Sequence, residues 1–270
     1  MFHKVLKGLA PVAALAASAM LAGCNVDMQV GDGKGVPLAE LDMQGAAPSE
    51  LVLAGPDTIL VSRGEIFDIE VSGDDGAVEA LRFHLEDESL AISRKKDSGR
   101  GLGTATVRVT VPSLTAIVMA GSGKIEADEL AGQSEVTIAG SGTVTVAQLE
   151  VPSLDVTIAG SGDFEAGGTA DRLDLTVAGS GSAKMADLQV GNADISIVGS
   201  GDAEFASDGK VDASIVGSGD VKVVGSATCT VSAMGSGKLQ CSAGSARAAK
   251  AEDAPPAPEA PESPESPAAP

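Results

Sequence analysis

The side chains best suited to chemistry are few, and most sit beside one recurring tripeptide. Asp163, Asp202 and Asp220 each follow Gly-Ser-Gly. A carboxylate at the end of a glycine-rich turn can offer oxygen to calcium, which takes six to eight oxygen ligands. The same position is Lys124, Thr143, Ser182 and Lys238 after the other tripeptides, so no single ion is read at every turn. We assign no metal and no cofactor. His84 is the one histidine beyond His3. It lies in the alternating stretch Arg82-Phe83-His84-Leu85-Glu86 and reads as a surface residue. A Ser-His-Asp site would have only that one base to draw on. The chain has no Gly-x-Ser-x-Gly elbow, no His-Glu-x-x-His and no phosphate loop ending in Gly-Lys-Ser/Thr.

A polysaccharide-cleaving enzyme built on stacked coils is the remaining catalytic reading. Asp155, Asp174, Asp194 and Asp212 do recur at one repeat position. Such a site also needs a basic residue near its acids and usually aromatics to stack on sugar. The chain has five Phe, no Tyr and no Trp. A solubilising outer face accounts for the acids more simply, and no catalytic residue is assigned.

Three cysteines remain. Cys24 closes Leu21-Ala22-Gly23-Cys24, preceded by basic Lys4 and Lys7 and an apolar run from about Leu9 to Ala22. That run is too short to cross a hydrocarbon core about 30 Å thick as a helix. Basic start, apolar stretch, small residues and Cys fall in the order of a lipoprotein signal, residues 1–23, with lipid attached to the Cys24 thiol. Two acyl chains on that residue would give a stable membrane anchor. By resemblance to lipoprotein sorting rules in enteric bacteria, Asn25 in place of Asp points to the outer membrane, with the face left open. Cys229 and Cys241 fall at inward repeat positions on opposite arms of the last coil and are a candidate disulfide in an oxidising compartment.

The elements that would position these residues follow from one periodicity. Gly-Ser-Gly recurs with its serine at Ser122, Ser141, Ser161, Ser180, Ser200, Ser218 and Ser236, at intervals of 18–20 residues. Apolar residues alternate with polar ones on both sides, as in Val136/Ile138, Val156/Ile158 and Ile195/Ile197 before the turn and Val144/Val146 and Val221/Val223 after it. A unit this short cannot hold a strand-helix-strand crossover. Identical turns favour stacking like on like, with coils about 4.8 Å apart. The serines are expected to form a structural ladder, each hydroxyl bonding a neighbouring coil. The scarcity of aromatics suits a narrow core of thin layers.

The domain reading has five parts. Residues 1–23 are the signal peptide, and 24–48 a flexible tether. Residues 49–110 form an N-terminal β segment that caps or continues the stack, with Leu85–Ser93 read as one further strand. Residues 111–246 are the solenoid, its last coil closing the far end with its cysteines. Residues 247–270 are a disordered tail, because seven prolines follow Asp253 among Ala, Glu and Ser.

The Gly55-Pro56-Asp57…Gly64 segment, Val111-Pro112-Ser113-Leu114 with its echo at 151–154, and the Gly-Ser-Gly series together resemble the GIN domain, described as an auto-transporter adhesin head domain. The resemblance spans roughly Glu50 to Ala246. It implies an all-β fold, a right-handed parallel β-helix or solenoid of about seven coils, together with export to the envelope. It brings no functional residues to carry over.

The formal charge of −20 completes the reading. Removing residues 1–23 takes away only Lys4 and Lys7, so the remainder is more acidic still. A phosphate backbone would be repelled, and nucleic acid is excluded as a partner. The expected function is a non-catalytic, lipid-anchored envelope protein with a structural or adhesin-like role. Its partners would be the membrane, through lipid, and an envelope protein or surface glycan. Two alternatives stand beside it: a periplasmic protein-binding module acting through the Pro-rich tail, and the carbohydrate-active enzyme.

Overall fold

The computed structural model describes residues 35–99 and 101–242; the expected signal peptide, Cys24 and the 247–270 tail lie outside the described residues. The repeat begins before the first Gly-Ser-Gly. β1 (Glu50–Gly55) and β2 (Thr58–Arg63) form a full layer of the stack, with Gly55-Pro56-Asp57 in the place of the tripeptide. Next come β3 (Asp68–Gly73), α1 (Asp75–Ala80), β4 (Leu81–Glu86), β5 (Ser89–Arg94) and β6 (Ala105–Val111). β5 and β6 run parallel to β1 and β2 and add one more layer. β3 and β4 lie antiparallel on β6 and β5 and end the stack.

The solenoid proper follows. β7 (Ala116–Gly121), β8 (Lys124–Leu130) and β9 (Gln133–Gly140) lead into four long strands. These are β10 (Thr143–Gly160), β11 (Asp163–Gly179), β12 (Ser182–Gly199) and β13 (Asp202–Gly217), each running from just after one turn to the first glycine of the next. β14 (Asp220–Val224), β15 (Thr228–Gly235) and β16 (Lys238–Ser242) finish it. All solenoid neighbours pair in parallel, and Gly140, Gly160, Gly179, Gly199, Gly217 and Gly235 stack in register. The repeat length varies between 18 and 20 residues, yet the turns stay aligned. Register shifts at Val146/Leu149, Glu165/Gly168 and Met185/Gln189 absorb the difference at the opposite corner.

The core is the inward half of the alternation. Before the turn it is Val136, Val156, Leu175 and Ile195 in one column and Ile138, Ile158, Val177 and Ile197 in the next, all buried. On the other arm the wide Phe164 neighbours the small Ala183, and Phe205 sits beside Met185 in a further column. Phe164 against Ala183 fills the interior without thickening the layer. β-branched residues dominate because they suit a pleated, half-buried surface.

Three parts of the sequence reading need correction. Leu85–Ser93 is not one strand: it turns at Asp87 and Glu88, with φ of 47° and 68°, and is the hairpin between β4 and β5. Paired positive φ values are what a tight two-residue hairpin requires. Part of the expected tether, residues 35–41, is docked. Val36 exchanges two backbone hydrogen bonds with Phe83, at 2.9 and 2.8 Å, and Leu38 and Leu41 pack against the core. These apolar residues cover the edge of β4. Finally, among the described residues the last coil leaves its end open. Among the described residues β15 pairs only with β13 and β16 only with β14, and Val231 and Met234 are 48% and 74% exposed.

Candidate functional surface

The turn comes first, because the sequence pointed there. Each first glycine has positive φ, +132° at Gly179, in a region essentially reserved for glycine. The third glycine is needed for a different reason: a Cβ on Gly181 would meet the Gly162 carbonyl oxygen and Ile158 at 2.5 Å. The serines do form a ladder, but through their amides. Ser141, Ser161, Ser180, Ser200, Ser218 and Ser236 donate N–H to the first glycine of the coil before, at 2.8–2.9 Å. The side chains of these six and of Ser122 stand exposed at the corner, and no hydroxyl among them bonds another protein group in the described residues. A serine there needs an amide and a small polar side chain, not a hydroxyl partner.

The residues after the turn do not converge on an ion. Asp202 accepts the Asp220 amide at 2.9 Å, and Asp220 accepts the Lys238 amide at 3.0 Å, so each caps the next coil. Lys184 reaches Asp163 at 3.5 Å. Two positions further on, Glu165, Lys184, Glu204 and Lys222 stack with alternating sign, which offsets like-charge repulsion along the column. No group of three or more His, Cys, Asp or Glu suited to a metal occurs among the described residues. His84 is exposed on β4, with Nε2 3.0 Å from the Glu86 carboxylate.

The arm before the turn presents a uniform surface. Three outward columns lie side by side. The first is Glu135, Asp155, Asp174, Asp194 and Asp212, in register over five coils. The second is Thr137, Thr157, Thr176, Ser196, Ser214 and Ser232. The third is Ala139, Ala159, Ala178, Val198, Val216 and Met234, apolar and widening toward the end of the stack. Carboxylate, hydroxyl and apolar stripes thus run parallel along one flat face. The sequence reading saw the acids; the other two columns become visible only when the strands are laid in register.

The acid column is partly neutralised. Arg172 donates to Asp174 at 2.9 Å and to Asp194 at 3.1 Å, and Lys210 pairs with Asp212. Their effects on proton affinity have opposite signs. The Lys210 hydrogen bond holds the Asp212 carboxyl below the ordinary aspartate range. Burial, then the charges of Asp174 and Glu135, push Asp155 above it. Ionised Asp155 therefore opposes folding, and stability from this site rises as pH falls through its raised value. Asp212 does the reverse: its contribution is present above the ordinary aspartate range and is lost as pH falls through its lowered value. Asp155→Asn is expected to raise the melting temperature slightly at pH 7, with the gain shrinking toward pH ~3.5 as wild-type Asp155 protonates. Thermal melts at the two pH values check this; an equal gain at both contradicts it.

A groove of about 380 Å³ opens where the N-terminal layers meet the stack. Asp68, Glu70, Glu126 and Asp128 line it with Arg108. It holds no nucleophile paired with a base. Beneath the neighbouring turn, Asp57 is fully buried. It accepts two hydrogen bonds from Arg94, at 2.8 and 2.6 Å, and one from the Ala105 amide at 2.8 Å. Arg94 also donates to the Gly103 carbonyl at 2.8 Å. This pair ties the first turn to the start of β6.

At the far end Cys229 lies in register with Val211 and Cys241 with Val223. The two cysteines are bonded across the arms, with Cα atoms 6.6 Å apart. In solution, thiol labelling of the denatured, unreduced protein is expected to miss both; labelling of both contradicts the bridge.

A parallel β-solenoid with one laddered face defines the class. The chain belongs to the family described as "Putative auto-transporter adhesin, head GIN domain", which matches residues 47–227. Solved structures share its fold. One is a protein of Bacteroides fragilis described as a putative adhesin, 24% identical, TM-score 0.67, covering 72% of this chain and 92% of its own. Another, from Parabacteroides distasonis, is described as a putative lipid binding protein, 24% identical, TM-score 0.56, covering 73% and 94%. A second P. distasonis protein, described as a putative adhesin, is 21% identical with TM-score 0.57, covering 73% and 94%. None of the curated proteins matches. Among the described residues no helix is long and apolar enough to cross a membrane.

Proposed function

We propose that this protein is a non-catalytic module of the outer membrane, held by lipid on Cys24, that binds an envelope protein or surface glycan with the face before the turn. The observation that carries the reading is the three-column surface. It repeats its chemistry over five or more coils, has no cleft, and lies on a rigid stack. Repeated stripes suit a long, shallow contact with an extended or repetitive partner, as other solenoids use their faces. Family membership supports an adhesin-like role, and a fold shared with proteins described as adhesins is in line with it. The Leu21-Ala22-Gly23-Cys24 motif supports the anchor.

Two measurements test the parts separately. Cys24→Ala should abolish incorporation of a labelled fatty acid and move the protein out of the membrane fraction; unchanged fractionation removes the anchor. Asp155→Asn/Asp174→Asn/Asp194→Asn should reduce partner capture from the native envelope after crosslinking, with the fold intact by circular dichroism. Unchanged capture by that variant, with capture lost on deleting 247–270, would transfer the binding role to the tail.

A further inference from the structure

The two ends of the stack are treated differently. At the N-terminal end β4 is antiparallel, its hairpin turn is acidic, and Val36 pairs across its edge. Such devices keep strand edges from pairing with other chains. Among the described residues the C-terminal end has none of them. β15 and β16 each have one free side among the described residues. Thr228–Gly235 contains no proline, no charge and no bulge. Val231 stands where Ala213 is buried one coil earlier, yet is half exposed, and Met234 ends the apolar column at 74% exposure. This coil also lies beyond residues 47–227, the part that matches the family.

Charge distinguishes the same coil. The acid column that runs through Glu135, Asp155, Asp174, Asp194 and Asp212 stops at Thr230. Between Thr228 and Ser242 there is no acidic residue, and Lys238 is the single charge, in a chain of net charge −20. Contact through this coil therefore sets no carboxylate of its own against that of a second copy. The segment that follows is poorly suited to cover the end itself. Residues 243–270 contain no Val, Ile, Leu, Met or Phe to pack on Val231 and Met234, and from Pro255 onward seven prolines cannot donate to a ladder.

We propose that the end coil is a self-association surface: two copies meet end to end about a two-fold axis, with edge strands of the last coil pairing antiparallel. A two-fold contact asks only that one patch complement itself, and an unpaired strand edge does so. The contact buries Val231 and Met234 and continues the two stacks into one. Because it brings two acidic bodies together, it should tighten with salt as screening grows.

The test uses the full chain with Cys24→Ala, so that no acyl chain drives association. Sedimentation velocity at up to about 100 μM should show a dimer whose dissociation constant falls as salt is raised. Thr230→Asp/Ser232→Asp/Met234→Glu extends the acids into the last coil at outward positions, in register with Asp212, Ser214 and Val216 one coil earlier. It should weaken the dimer at least about tenfold without changing the circular dichroism spectrum. Hydrogen exchange of the wild type gives an independent reading: amides of 228–242 should gain protection as concentration rises. A monomer at all concentrations and salts overturns the proposal. So does protection that is independent of concentration and lost on deleting 243–270, which would mean that the chain covers its own end.

Discussion

Gly179→Ala is expected to destabilise the protein by about 3–5 kcal/mol, whereas Ser180→Ala, one residue away, should change stability by less than about 0.5 kcal/mol. The reason lies in the geometry of a stacked turn. Gly179 has φ of +132°, and an added Cβ would overlap the Gly160 carbonyl oxygen of the coil before. That oxygen is also the acceptor for the Ser180 amide at 2.8 Å. Alanine therefore meets an unfavourable backbone region, of order 1–3 kcal/mol, and must also push two coils apart at a ladder bond. The strain is not local: each coil holds the next, so a fault in the middle divides the stack. Ser180 shows its side chain only to solvent. Urea unfolding of both variants checks the contrast. Similar losses for the two would mean that the serine hydroxyls carry the ladder after all.

Asp57→Ala should cost a comparable amount, about 3–5 kcal/mol, the range for breaking a buried pair by removing one partner. The Arg94 side chain, 15% exposed, would keep its charge with only the Gly103 carbonyl to receive it, and the Ala105 amide would lose its acceptor. A guanidinium holds its proton at any ordinary pH, so Arg94 cannot escape the loss by becoming neutral. Removing both partners should be milder than the sum. Asp57→Ala/Arg94→Met is expected to cost less than the two single changes added together, because no lone charge is left behind. A double-mutant cycle read by urea unfolding measures this; additive losses would show that the pair is not a unit. Loss should be concentrated in the N-terminal layers, which the pair joins.

The contrast between these two sites shows what the sequence could reveal. The Gly-Ser-Gly turn is legible because its cause repeats: the same close approach recurs at every layer, so the same residues recur. Asp57 is the same corner one layer earlier, but its Gly-Pro-Asp has a different solution. A buried carboxylate holds a cation 37 residues away, and no local pattern announces a partner at that distance. The hairpin at Asp87 and Glu88 was hidden for a similar reason. Its positive φ values fall on two acidic residues, without the Gly or Asn that usually marks such a turn. Val36, Leu38 and Leu41 were masked by glycines and a proline around them, and their docking depends on the edge of β4. The inward columns followed from alternation, and the cysteine register from aligning the Gly-Ser-Gly turns. The three-column face did not: its acids were visible, but which hydroxyls and apolar residues lie beside them depends on the register of strands nearly twenty residues apart.

The central claim is that function resides on the face before the turn. Site-specific photocrosslinking in the native envelope tests it most directly. A photoreactive residue at Thr176 or Ser196, in the hydroxyl column, should give a discrete adduct with an envelope component. The same residue at Lys184 or Lys222, on the arm after the turn, should give little or none. Adducts of equal yield from both arms, or from the second arm alone, would contradict the account.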